Sequence, residues 1–123
     1  MYRSVILSVL LCSNVLAHEM TPTYPKWQVS YIEGVQKTTM EMFNRRADVE
    51  WYEIGVFDEE WKKVPFAASP KLIRVQYLDK KIVEVYLHKK DKDQAYYICS
   101  KSKILSIVKD PSIIASRICS KIK

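Results

Sequence analysis

The sequence predicts an all-β sandwich of about seven strands, placed after a cleaved leader. Two observations carry this fold class. Apolar and polar residues alternate in short runs, as in Met40 and Met42 against Thr39 and Glu41, or Val83, Val85 and Leu87 against Glu84 and Tyr86. Period-2 patterning of this kind marks strands with one buried face. The runs are rich in β-branched and aromatic residues and recur about every 8–14 residues, which suits a sandwich better than a helical or βαβ fold.

Residues 1–17 read as a secretory signal peptide. Arg3 supplies the positive end, Ser4 to Leu11 the apolar core, and Val15-Leu16-Ala17 the small-residue cleavage site before His18. The apolar run is too short to span a bilayer, so no membrane span is expected. Leu11 is not the small residue that a lipid-attachment site at Cys12 would want. Removal of the leader leaves 106 residues (123 minus 17) as one domain, 18–123, with room for one modest core.

In chain order, His18 to Lys26 holds two prolines and reads as an extended lead-in. Trp27, Val29 and Tyr31 alternate with Gln28 and Ser30, predicting a half-buried first strand, and Glu33-Gly34 a turn. Lys37 to Phe43 is the second strand, and Asn44 to Asp48 a polar loop. Glu50 to Asp58 is the strongest strand, with Tyr52, Ile54 and Val56 on one face. Val64-Pro65-Phe66 reads as an edge segment, where proline is tolerated. Two strands follow Ser69-Pro70, one through Ile73, Val75 and Tyr77 and one through Val83, Val85 and Leu87. A charged turn at Lys89 to Asp93 leads into a strand from Ala95 to Lys101. Ile104 to Val108 fits either a helical turn or a strand, and the last strand carries Ile114, Ile118 and Cys119.

Asp93-Gln94-Ala95-Tyr96-Tyr97-Ile98-Cys99 places a tyrosine two residues before a cysteine. That is the local pattern of strand F in immunoglobulin-like sandwiches, where the tyrosine hydroxyl bonds back to the backbone at a corner. Asp93 and Tyr97 are the expected tyrosine corner. The candidate second strand has no cysteine, and Cys12 leaves with the leader, so Cys119 is the partner available to Cys99. A disulfide between them suits an oxidising compartment, periplasmic or secreted. The alternative is two buried free thiols.

Ser69-Pro70-Lys71-Leu72-Ile73-Arg74-Val75, followed by Val83-Glu84-Val85, resembles a run in the N-terminal immunoglobulin-like domain of periplasmic pilus chaperones. The resemblance covers roughly residues 27–101. It implies an immunoglobulin-like fold, while the pilus-assembly role of those chaperones does not follow from it. The chain departs from those chaperones in having room for one such domain, in offering Lys26 and Gln28 where they carry an anchoring arginine, and in the cysteine on its last strand. His-Glu-Met-Thr-Pro, Phe-Asn-Arg-Arg, Gly-Val-Phe-Asp and the closing Ser-Arg-Ile-Cys-Ser-Lys-Ile-Lys also resemble small exported proteins of marine tailed phages.

Catalytic motifs are not apparent. With Gly34 and Gly55 as the only glycines there is no phosphate-cradling loop and no strained nucleophile turn. No enzyme and no cofactor is expected. Charge is uneven: residues 18–70 carry 6 basic and 9 acidic side chains, net −3, and residues 71–123 carry 13 and 5, net +8. The basic residues are spread over strands and turns without an array of stacking aromatics, so they read as a solvated face, not a nucleic-acid surface. Cleavage after Ala17 would leave His18 with a free amine. Together with His88 it would offer a three-nitrogen copper site. The reading that fits best is an exported binding or chaperone-like module that recognises an exported or envelope protein by β-augmentation. Its edge is expected on the last strand, at Ile114, Ser116, Ile118 and Ser120. A copper-binding protein and a virion or surface decoration domain are the alternatives.

Overall fold

The computed structural model describes residues 18–103 and 115–122. In chain order these form β1 (Glu19–Thr21), β2 (Gln28–Val29), β3 (Val35–Phe43), β4 (Trp51–Phe57), β5 (Ala67–Ser69), β6 (Leu72–Arg74), β7 (Lys80–His88), the single helical turn α1 (Lys89–Lys92), β8 (Tyr97–Lys103) and β9 (Arg117–Lys121). They pair in two antiparallel sheets, β1-β3-β7-β5 with β2 also on β3, and β6-β4-β8-β9. The chain is an all-β sandwich. Residues 1–17, read above as a leader, and the Ile104 to Val108 stretch with its two readings lie outside the described residues.

Side-chain alternation explains which residues meet between the sheets. In β3 and β7 the register sets Met40 opposite Val83 and Thr38 opposite Val85, with all four buried. In β4 and β8, Val56 faces Ile98, Ile54 faces Ser100 and Tyr52 faces Ser102, again all inward. These two faces, with Met20, Val49, Val64, Ile73, Val75, Leu87 and Ala95, form one continuous core. Each large side chain removed from water in this way stabilises the fold by about 1.5–3 kcal/mol.

The structure corrects the expected first strand. Val29 and Tyr31 are 82% and 86% exposed, and only Gln28 and Val29 pair, so alternation at 27–31 does not mark a buried face. The strand that brings a core side chain into the first sheet ahead of β3 is β1, inside the proline-flanked lead-in, which buries Met20. Gly34 takes φ 74° at the turn into β3, a backbone region that glycine adopts without strain. No helix among the described residues is long and apolar enough to cross a membrane.

Candidate partner-binding edge

The site begins with the way β9 is hydrogen-bonded. Ser102 N–H donates to Ser116 C=O (2.8 Å) and Ile122 N–H donates to Tyr96 C=O (2.7 Å). The even-numbered residues of β9 therefore turn their backbone groups toward β8. Arg117, Cys119 and Lys121, one step out of phase, turn theirs away from β8. Lys121 N–H is taken by Thr23 C=O at 3.0 Å. β1 lies alongside β9, and among the described residues Arg117 and Cys119 have no backbone partner on that side, so the candidate edge is centred on these two.

Cys99 and Cys119 sit directly opposite in the β8–β9 register, with Cα atoms 4.0 Å apart and sulfurs bonded at 2.07 Å. The bridge lies on the outer face of the sheet, because the intervening inner positions are Ile98 and Ser100. It joins neighbours within one sheet and holds the edge strand down.

Ser116, Ile118 and Ser120 were expected to present the edge, and their side chains do not. Ser116 Oγ lies 3.1 Å from His18 Nδ1 and accepts from Arg46 Nη1 at 3.3 Å. Ile118 packs against the core, and Ser120 is 1% exposed. The inward phase of these residues is the physical reason. A partner on this edge meets backbone and the odd-numbered side chains instead. Ile114 lies outside the described residues.

His18 closes the end of the sandwich beside β9. Its ring is 2% exposed and tilted on Tyr52 with centroids 4.4 Å apart. Nε2 lies 2.7 Å from Ser100 Oγ, and Nδ1 meets Ser116 as above. The small side chains of Ser100 and Ser102 leave the space that the imidazole fills. Burial drives the pKa of His18 from 6.5 down to about 4; the Ser100 carbonyl opposes this and Arg46 adds to it. Behind the ring, Tyr52 donates to Asn44 Oδ1 (2.6 Å), and Asn44 Nδ2 donates to the carbonyls of Val49 (2.7 Å) and Val75 (2.8 Å). Burial pushes the Tyr52 hydroxyl up to about 12. Ser100, in contact with this ring, is itself fully buried.

The copper pairing of His18 and His88 is corrected by the register of β3. His88 pairs with Val35 at one end, whereas Glu19, next to His18, pairs with Phe43 at the other. Eight strand steps of about 3.3 Å separate these ends by roughly 26 Å. Among the described residues no group of three or more His, Cys, Asp or Glu side chains is placed to hold a metal.

The tyrosine corner is corrected too. Position 97 is outward in the phase of β8, and the Tyr97 ring stacks on Trp61 at 4.2 Å with 4° between planes. Arg117 covers Trp61 and Phe57 at 5.9 and 5.4 Å. Asp93 caps the end of α1, its N–H donating to Asp91 C=O. No residue-type rule would have found this shelf, because Trp61 comes from a turn in which it holds φ 65°.

A two-sheet sandwich with a bridged edge strand is the class of protein that the fold defines. Its fold is similar to that in the crystal structure of the E. coli chaperone DraB, with a TM-score of 0.51 and 13% sequence identity. The likeness covers 87% of this chain and 54% of that one, so the chain spans about half the chaperone's length. No protein-family model matches the sequence, and no curated protein matches it.

Proposed function

We propose that the protein is an exported, non-catalytic binding module that adds an extended segment of an exported or envelope protein to the open edge of β9. The observation that carries this is the outward backbone of Arg117 and Cys119 on a strand pinned to β8 by the disulfide. Unpaired strand edges recruit further strands, and a fixed edge loses less entropy on binding. The likeness to a chaperone fold supports the reading. So do the leader-like residues 1–17, with cleavage after Ala17, and a disulfide suited to the periplasm or the exterior. Residues 18–123 form the proposed binding domain.

A photo-crosslinking residue at Lys121, introduced into the exported protein in its host, tests the edge. Arg117→Pro removes the outward N–H without touching the β8 ladder, and Arg117→Ala keeps that N–H. The adduct should form in the parent and in Arg117→Ala and fall sharply in Arg117→Pro. Equal yield in all three contradicts strand addition at β9.

A further inference from the structure

The outer face of the second sheet carries a groove that strand addition at the edge leaves unused. Its volume is about 620 Å³, in the range of ligand sites. Gly55, paired with Cys99, forms the floor. The missing side chain makes room for the Phe57 ring, which lies over this position: a Cβ at residue 55 would meet it at 2.9 Å.

The lining is strongly one-signed. Lys63, Lys71, Lys101, Lys103 and Arg117 border the groove, against the single carboxylate of Glu53. Glu53 shows what this set of cations does to a carboxylate. Lys103 Nζ sits 2.8 Å from its Oε2, and the hydrogen bond from Lys103, with the charges of Lys63 and Lys101, holds its carboxyl below the ordinary range. Lys101 and Lys103 are outward positions two residues apart, about 7 Å along the strand. Alternate side chains of an extended peptide have the same spacing.

We propose that this groove binds an extended acidic peptide segment, with carboxylates at alternate positions set against Lys101 and Lys103. A nucleic-acid strand would need bare ring faces for its bases. Here the aromatic rings are already covered: Phe66 by Lys71 at 4.6 Å, Phe57 by Arg117, and Trp61 by Tyr97 and Arg117. The groove lies on the sheet face, so it stands whether or not β9 accepts a strand.

The two glycines provide the assay. Gly55 is the groove floor, and Gly34 lies in a turn of the other sheet, so their amide resonances serve as probe and control. The purified protein is titrated with an eight-residue peptide alternating Glu and Val, with its Gln counterpart, and with single-stranded oligo-dT. The Glu peptide should shift Gly55 and leave Gly34 in place, and the Gln peptide should shift neither. Lys101→Glu with Lys103→Glu should weaken binding at least tenfold, as should Lys63→Glu with Lys71→Glu on the opposite wall. Added salt should weaken it as well. A still Gly55, equal binding of the Gln peptide, or tighter binding of oligo-dT overturns the proposal. So does full binding in either charge-reversed protein.

Discussion

Acidification should destabilise the fold well before its carboxylates titrate, through one buried ring. His18 has a pKa of about 4 in the folded chain against 6.5 when unfolded. Between those values the unfolded chain binds a proton that the folded chain refuses. The stabilisation is therefore complete above about pH 6.5 and is lost as pH falls toward about 4. At 1.36 kcal/mol for each pH unit the whole effect is ~3 kcal/mol, of which about 2 kcal/mol disappears between pH 7 and pH 5. That is a large part of the stability of a domain this size. Urea unfolding at pH 7, 6 and 5, followed by tryptophan fluorescence, measures it. His18→Gln can still reach the serine hydroxyls but does not titrate, so its stability should be nearly flat over the window. A flat profile in the parent, or the same slope in His18→Gln, refutes the assignment.

Replacing both Cys99 and Cys119 by serine reopens a loop with a sequence separation of 20. The entropic cost of ~3 kcal/mol should lower Tm by roughly 10 °C or more in a thermal scan. Tyr52→Phe takes away the hydroxyl that donates to Asn44 and should cost ~1–2 kcal/mol in urea unfolding. Asn44→Ala strands the carbonyls of Val49 and Val75 together with the Tyr52 hydroxyl, and should cost at least ~3 kcal/mol by the same assay. If residues 1–17 act as a leader, the intact mass of the protein recovered outside the cytoplasm should correspond to a chain that starts at His18, and a retained Met1 would contradict that reading.

Legibility of the fold followed burial. The long strands β3, β4 and β7 bury one whole face, so Met40 and Met42, Tyr52 to Val56, and Val83 to Leu87 print their period in the sequence. Trp27 to Tyr31 has the same alternation, yet Val29 and Tyr31 stay in water because only two residues there pair with β3. A three-residue strand such as β1, with Met20 alone facing inward, has no period to read. The polar end of the core was invisible for a different reason. Asn44 and Arg46 look like loop residues and His18 like a solvated terminus, because polar side chains are ordinarily exposed. Only the three-dimensional meeting of β1, β4, β8 and β9 supplies their partners. The cysteine pairing was readable by counting, whereas the phase of β9, which decides what its edge presents, required the hydrogen-bond register.

Amide exchange along β9 tests the proposed edge most directly. In the free protein Ile118 and Ser120, whose N–H groups point to β8, should exchange slowly, while Arg117 and Cys119 exchange fast. In complex with the crosslinked partner the two fast amides should become slow, as a new ladder takes up their N–H groups. Arg117 and Cys119 exchanging in the saturated complex as fast as in the free protein would contradict strand addition at this edge.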